Sequence, residues 1–179
     1  VKALQRLADI APVLDHQAVL TPYSGVIGPA KPQFTSGDRA PATRSALFDH
    51  ITPAVASGLA RLVTDRISYF TQLRAVGGAV NDVDPAETAY AHRHQNFQAV
   101  GMSGALRRER IDEPWDEWLT PYADGTYLNF ETDPRPERLT DAFPEPTLTR
   151  LRQIKRTYDP GNLFNTNLPI PPAEDEPEK

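Results

Sequence analysis

The chain has 179 residues, of which 39% are hydrophobic and 24% are charged, a composition typical of folded globular proteins. Its net charge of -5 argues against a nucleic-acid surface, because phosphate binding depends on clustered Lys and Arg. The sequence contains no cysteine, which excludes disulfides, thiolate nucleophiles and cysteine-ligated metals within it. No apolar run is long enough to span a membrane. We therefore expect a soluble protein, cytoplasmic or secreted, with no membrane partner.

The N-terminal region predicts a short helix followed by a long loop. Residues 2–10 carry apolar positions at helical spacing and are followed by Pro12. From Pro12 to Arg44 the chain is rich in Pro, Gly, Ser and Thr, which indicates loop. Loops of this length are usually functional or packed on another element. Because the first residue is Val1 rather than Met, we expect a fragment or a processed chain.

The next stretch predicts a helix and a strand. Thr52 and Pro53 are typical of an N-cap and a first helical residue, and the helix should run to about Val63. Residues 67–76 then suit a strand that ends at two glycines. Alternation places Gln72 and Arg74 on one, polar, face. The opposite face is predicted to be core and carries Ile67, Tyr69, Leu73 and Ala75.

Two more strands are predicted, at residues 96–102 and 125–130. Gln98 belongs to the polar face of the first, and Tyr127 and Asn129 share one face of the second, opposite Leu128 and Phe130. Further helices are predicted at 115–119 after Pro114, at 135–143 and at 147–157.

Each predicted strand has an apolar face and a face with amides, a guanidinium or a phenol. This pattern predicts an α+β fold, in which helices cover the apolar face of an antiparallel sheet and the open polar face lines a ligand site. A polar face that is merely solvated fits the pattern as well. We divide the chain into an N-terminal helix, long loop and helix at 1–67, a sheet with helices at 68–146, a C-terminal helix with a docking segment at 147–173 and a disordered acidic tail at 174–179.

Four blocks resemble, in order and approximate spacing, those of the berberine bridge enzyme-like FAD-linked oxidoreductases. They are Gly77-Gly78-Ala79-Val80, the Thr-Ala-Tyr-Ala-His-Arg run at 88–93, Tyr127-Leu128-Asn129-Phe130, and the Tyr-Asp-Pro-Gly-Asn-Leu-Phe-Asn-Thr-Asn run at 158–167. The resemblance covers roughly Ser68 to Pro172. It implies the substrate-side part of a two-domain flavoenzyme, whose FAD-binding domain is missing from this chain. FAD is thus the expected cofactor, and the isolated chain should neither retain flavin nor be active.

The resemblance also implies roles for particular residues. The Tyr-x-Asn motif of the family falls on Tyr127 and Asn129, which implies a general base and a residue near the flavin. Hydride loss from a carbon bearing a hydroxyl requires such a proton acceptor, and a cation such as Arg74 would favour the phenolate. A buried structural tyrosine is the alternative. Asn162 and Asn167 would contact the FAD domain, with ordinary turn capping as the alternative.

The sequence departs from part of the family at Arg74, where several sugar-oxidising members carry a carboxylate. Arg74, with Gln72 beside it, would bind an anionic or polyhydroxylated substrate, or else be a solvated arginine. Gln98 could hydrogen-bond substrate hydroxyls or be a sheet-edge amide. His92 and His94 lack a third ligand nearby, so no metal site is predicted.

The predicted function is therefore oxidation of an alcohol, sugar or similar small molecule by hydride transfer to FAD. The alternative is a non-catalytic module that binds a carbohydrate or a protein, or an inactive relative.

Overall fold

The computed structural model describes residues 19–22, 41–104 and 108–174. The strands and helices are β1 (Ala42–Phe48), α1 (Pro53–Thr64), β2 (Phe70–Ala75), β3 (Phe97–Ser103), α2 (Arg108–Trp118), α3 (Glu137–Ala142) and α4 (Thr147–Tyr158). Short 3₁₀ turns are formed by Ala79–Asp82, Thr120–Tyr122 and Leu128–Phe130. The helix predicted at 2–10, most of the predicted loop and nearly all of the acidic tail lie outside the described residues. Within the described ranges no helix is both long and apolar enough to cross a membrane.

The three strands form one antiparallel sheet in the order β1-β3-β2. Helices α1 and α2 pack on one face, where residues of β1 and β3 complete the core. Its fully buried members are Ala42, Ala46, Phe48, Val55, Leu62, Ala99, Ile111, Trp115 and Leu119. The α+β class, with an antiparallel sheet covered by helices on one face, is confirmed.

Helix α1 begins where the sequence predicts. The Thr52 hydroxyl accepts a hydrogen bond from the Val55 amide at 3.3 Å, and Pro53 occupies the first turn, where its missing amide proton costs nothing. Val55 and Leu62 face inward and are fully buried. Propensity, capping and burial therefore agree at this helix.

Helix α2 is longer than predicted. It begins at Arg108 and holds Pro114 in its interior rather than before its start. Trp115 is fully buried and packs so closely on β3 that a Cβ at Gly101 would lie 2.7 Å from its ring. The burial of Trp115 offsets the loss of the one backbone hydrogen bond that a proline removes from a helix interior.

Strand β1 was missed, and the prediction of loop was wrong for residues 42–44. All seven residues of β1 are buried, including Arg44 and Ser45. A strand buried on both faces loses the apolar-polar alternation that identifies one. The signal at residues 42–48 was therefore weak.

The strand predicted at 125–130 was also wrong. Residues 124–132 follow the outer edge of β1: the Leu47 amide donates to the Gly125 carbonyl at 2.8 Å, and the Thr132 amide donates to the Thr43 carbonyl at 3.0 Å. Between these contacts the chain forms the Leu128–Phe130 turn. The segment thus covers the edge of β1 without becoming a strand of the sheet.

Strand β2 is shorter than predicted, and its helix-side face is only partly core. Tyr69 and Leu73, predicted to be buried, are 60% and 48% exposed. Strand β2 lies at one edge of the sheet, and the buried core contains residues of β1 and β3 but none of β2. Helix α4 has nearly the predicted length, whereas α3 starts later and ends earlier than predicted.

Candidate functional site

An open cavity of about 460 Å³ lies against the sheet face opposite α1 and α2. It is lined by Arg74, Val76, Val80, Tyr90, Arg93, Gln98 and Tyr127. Three residues singled out from the sequence, Arg74, Gln98 and Tyr127, therefore meet in one place. Tyr90 and Arg93 belong to the 88–93 block, but the sequence offered no reason to place them in a site.

Strand register brings Arg74 and Gln98 together. The two are directly opposite each other in the pairing of β2 with β3, so their side chains leave the same face of the sheet. Gln98 is buried, and its amide nitrogen donates to the Ser45 hydroxyl at 3.3 Å. Gln72 is not among the lining residues. Its side-chain oxygen instead accepts a hydrogen bond from Arg74 Nε at 2.7 Å.

Tyr127 lies in the segment of residues 124–132, which runs along the outer edge of β1 and positions it. Next to it, the Thr126 hydroxyl donates to the Ser45 carbonyl at 2.9 Å, and the Phe130 amide donates to the Tyr127 carbonyl at 3.0 Å within the 3₁₀ turn. The Asn129 side-chain amide donates to the Tyr127 phenol oxygen at 2.7 Å. The Tyr-x-Asn motif is therefore a hydrogen-bonded pair, formed on a turn rather than on a strand.

Aromatic rings form one wall of the site. The Tyr127 ring makes an edge contact with Tyr90, with centroids 5.8 Å apart, and a tilted contact with Phe130 at the same separation. Burial raises the pKa of Tyr90, although the nearby Arg93 acts in the opposite direction. The Arg74 guanidinium lies 4.5 Å from the centre of the Phe130 ring. Arg74 and Tyr127 thus pack on the same ring.

A buried arginine that the sequence did not reveal holds this segment in place. The Arg44 side chain is fully buried on the helix side of β1. Four carboxylates lie within 4 Å of its guanidinium: Asp112 at 3.1 Å, Asp116 at 2.8 Å, Glu131 at 3.4 Å and Asp133 at 3.6 Å. Two of them come from α2 and two from the chain just after the Tyr127 turn. The spacing of Asp112 and Asp116 by four residues was the available signal, because it places both on one face of a helix.

The carboxylates around Arg44 differ in their pKa values. Burial raises the pKa of Glu131 above its usual range, even though the charge of Arg44 opposes it. Burial would also raise the pKa of Asp116 and of Asp133. In both, hydrogen bonds and charges from Arg44 or Arg135 outweigh burial and hold the pKa below the usual range.

The predicted docking segment is organised around Asp159. Its carboxylate accepts hydrogen bonds from the amides of Leu163, at 2.7 Å, and Phe164, at 3.0 Å, and pairs with Lys155. Asn162 and Asn167 have left-handed backbones, with φ of 51° and 62°, a conformation that asparagine tolerates well. Asn162 lines a different cavity, of about 610 Å³, between α3 and the C-terminal residues.

His92 has a structural environment. Its ring is buried, and Nε2 lies 3.0 Å from the Ala142 carbonyl oxygen. Burial lowers the pKa of His92 in spite of the backbone hydrogen bonds that oppose this shift. The described ranges contain no group of three or more His, Asp or Glu side chains that could hold a metal ion.

The cofactor implied by the resemblance fits only in part. Asn129 is exposed at the tip of the turn, and the Tyr127 phenol lies beside the cavity. An amide and a phenol in these positions suit one wall of a flavin site. The rest of a FAD-binding site would come from residues beyond the described part of the chain.

The chain is similar in sequence to a known protein family and to two curated relatives. Residues 126–171 match the model of the family described as berberine and berberine like. The chain is 31% identical over 103 residues to "Uncharacterized FAD-linked oxidoreductase YvdP" of Bacillus subtilis (strain 168), a match covering 54% of this chain and 23% of that protein. It is 32% identical over 114 residues to "FAD-linked oxidoreductase sorD" of Penicillium rubens, covering 58% and 24%.

The fold is also shared with a solved structure. The xylooligosaccharide oxidase of Myceliophthora thermophila, in complex with xylobiose, has a TM-score of 0.61 at 23% identity, covering 76% of this chain and 33% of that one. The chain spans about a quarter of the length of the curated relatives it matches. The predicted resemblance is confirmed: residues 126–171 match the berberine and berberine-like family, and the chain is similar in sequence to proteins named FAD-linked oxidoreductases.

Proposed function

We propose that this chain forms the substrate side of a FAD-dependent oxidoreductase that oxidises an alcohol or a sugar, with Tyr127 as the proton acceptor. The observation that carries the proposal is the cavity itself, in which Tyr127, Arg74 and Gln98 converge from three separate stretches of the sequence. The relatives named as FAD-linked oxidoreductases supply the reaction class, and the xylooligosaccharide oxidase that shares the fold supports a sugar substrate.

The geometry at Tyr127 suits a group that accepts a proton. The Asn129 amide fixes the phenol oxygen through a 2.7 Å hydrogen bond and remains a donor when that oxygen carries negative charge. The rings of Tyr90 and Phe130 hold the phenol from two sides. A positioned side chain of this kind can take the proton of a substrate hydroxyl as the adjacent carbon becomes a carbonyl.

FAD, when bound by the complete protein, would supply the hydride acceptor. The residues of this chain would bind and orient the substrate. Gln98 and Arg74 offer hydrogen-bond donors and an acceptor from the floor of the sheet, next to Tyr127 in the cavity. The exposed Asn129 would lie at the boundary with the flavin-binding part. This part of the protein would be the expected partner of the chain.

Tyr127→Phe in the complete, flavin-loaded protein tests the assignment. The change removes one hydroxyl, so the absorbance of bound flavin should be unchanged. Anaerobic reduction of the flavin by a sugar or alcohol that reduces the wild type should slow by about 10²–10⁴-fold, which is the usual contribution of a general base. The loss should appear in kcat as well as in kcat/KM.

Tyr90→Phe is the matched control, because it removes a phenol hydroxyl from the same wall of the cavity without touching the Asn129 hydrogen bond. It should retain most of the rate. Near-normal flavin reduction in Tyr127→Phe would refute the assignment of Tyr127. Failure of every alcohol and sugar to reduce the wild-type flavin would refute the reaction class.

A further inference from the structure

The cavity that holds Tyr127 carries an uncompensated positive charge. Arg74 and Arg93 both line it, and no carboxylate does. In the part of the chain that the structure describes, neither arginine forms an ion pair. Arg44 and Arg135, by contrast, are each paired with carboxylates. For a chain of net charge -5, two half-buried, unpaired arginines at one cavity favour an anionic ligand.

Arg74 is held in a conformation that leaves its binding end available. Gln72 accepts the hydrogen bond from Nε at 2.7 Å, and the face of Phe130 supports the guanidinium plane at 4.5 Å. The two terminal nitrogens have no hydrogen-bond partner among the described residues. An arginine fixed in this way loses less side-chain entropy when it binds. Its free edge presents two parallel N–H groups, the arrangement that matches the two oxygens of a carboxylate.

Arg93 supplies charge from a second, fixed position. Its terminal nitrogens donate to the Val80 carbonyl at 3.0 Å and to the Thr88 hydroxyl at 2.6 Å. Its guanidinium also lies 5.1 Å from the centre of the Tyr90 ring. These contacts are all with neutral groups, so they leave the positive charge of Arg93 uncompensated. Its Nε is buried without a partner, which adds an unsatisfied donor beside the cavity.

We propose that the substrate of this site carries a carboxylate, which binds the free edge of Arg74 while Arg93 contributes charge, so that the preferred substrate is a hydroxy acid such as a sugar acid. The proposal rests on the proposed function, since it places the carboxylate in the same cavity as Tyr127. A volume of about 460 Å³ lies within the range of small-molecule sites. Gln98, opposite Arg74 on the neighbouring strand, would bind a hydroxyl of the same molecule.

Equilibrium binding to the complete, flavin-loaded protein tests the charge preference independently of turnover. D-Glucose, D-glucuronate and D-glucose 6-phosphate differ only at C6, so they compare a neutral group, a carboxylate and a phosphate on the same ring. Calorimetric titration at low ionic strength should show glucuronate binding about tenfold or more tightly than glucose, as a charge-assisted hydrogen bond predicts. The difference should shrink as salt is added.

Arg74→Gln should abolish the preference for glucuronate, and Arg74→Lys should retain part of it, since a lysine keeps the charge but loses the fork. Arg110→Gln, at an exposed arginine of α2, is the control for net charge and should keep the full preference. Equal binding of glucose and glucuronate by the wild type, no binding of either at millimolar concentration, or an unchanged preference in Arg74→Gln would each overturn the proposal. Tighter binding of glucose 6-phosphate than of glucuronate would overturn the choice of carboxylate.

Different variants test the charge preference of the cavity and the role of Tyr127 as proton acceptor. Tyr127→Phe removes a hydroxyl and no charge, so it should leave the ratio of glucuronate to glucose affinity unchanged. If Tyr127→Phe slows flavin reduction but Arg74→Gln keeps the charge preference, the proton acceptor stands and the substrate class is wrong. The opposite pair of results would retain the anion site and reject Tyr127.

Discussion

Replacing Arg44 by methionine should destabilise the fold by an amount that depends on pH. Methionine retains an apolar stem and removes the guanidinium from a fully buried position. Asp133 keeps its ion pair with Arg135. Glu131 is also fully buried, and Arg44 is the cation with which it pairs. Most of the lost stability should therefore come from the buried Glu131 carboxylate, which is left without its cation.

The magnitude follows from the cost of neutralising Glu131. Removing one partner of a buried ion pair costs about 3–5 kcal/mol. Protonation limits this loss: a glutamate in an unfolded chain has a pKa of about 4.3, so neutralising it takes about 3.7 kcal/mol at pH 7 and about 1 kcal/mol at pH 5. Burial already raises the pKa of Glu131 in the folded wild type, and losing Arg44 raises it further. With the folded pKa above the unfolded one, the folded state gains relative stability as the pH falls through the folded pKa. The deficit of Arg44→Met should thus fall from about 3–4 kcal/mol at pH 7 to about 1 kcal/mol at pH 5.

Urea unfolding followed by tryptophan fluorescence measures this deficit, because Trp115 is fully buried in the core. Arg110→Met, at an exposed site on the same helix, controls for the loss of one positive charge and should change the free energy of unfolding by less than about 0.5 kcal/mol. Arg44→Met combined with Glu131→Gln should be more stable at pH 7 than Arg44→Met alone, since it leaves no unpaired charge at position 131. A deficit below 1 kcal/mol at pH 7, or one equal at pH 5 and pH 7, would refute the reasoning.

Two further predictions concern other parts of the chain. Gly125→Ala should lower the free energy of unfolding by about 2 kcal/mol or more, because Gly125 has φ of 125° and an added Cβ would lie 2.2 Å from the His92 ring. Gly104→Ala is the control and should be nearly neutral, since no atom lies within 4 Å of the added Cβ. Equal effects of the two substitutions would contradict this explanation. The isolated chain should bind the dye ANS through exposed Leu163 and Phe164. The double substitution Leu163→Ser and Phe164→Ser should weaken the fluorescence of the bound dye. No dye binding by the parent chain would show that this surface needs no partner.

Local signals predicted the parts of the fold that local chemistry decides. The start of α1 followed from Thr52 and Pro53, because capping depends on neighbouring residues alone. The polar face of β2 followed from alternation, and the structure places Gln72 and Arg74 on it. Helix α4 was predicted within one residue. These features do not depend on what the rest of the chain does.

Features that depend on distant partners could not be predicted in the same way. Strand β1 is buried on both faces, and its arginine is tolerated only because carboxylates from α2 and from the 131–133 segment surround it. The segment with Tyr127 has strand-like composition, yet the edge of β1 determines its path through side-chain contacts such as that of Thr126 with Ser45. Tyr127 and Asn129 still meet, because the Asn129 amide donates a hydrogen bond to the Tyr127 phenol oxygen at 2.7 Å across the start of the turn. The two side chains therefore lie together although the strand predicted for them was wrong.

The register of β2 against β3 brings polar residues together on the cavity face of the sheet. Arg74 and Gln98 are opposite each other on the open face, and Arg74 reaches Phe130 of the turn that also holds Tyr127. A slip of β2 by one residue would move Arg74 to the face covered by helices and put Leu73 or Ala75 in its place, because successive strand residues point to opposite faces. Gln72 is two residues from Arg74, so any register that exposes one to the cavity face exposes both, and the hydrogen bond between them is retained. The cation and the amide that orients it are thus encoded together in three residues of sequence, Gln72 to Arg74. Their distance from Tyr127 is set by the pairing of β2 with β3 and by the contacts of β1 with residues 124–132 along its edge.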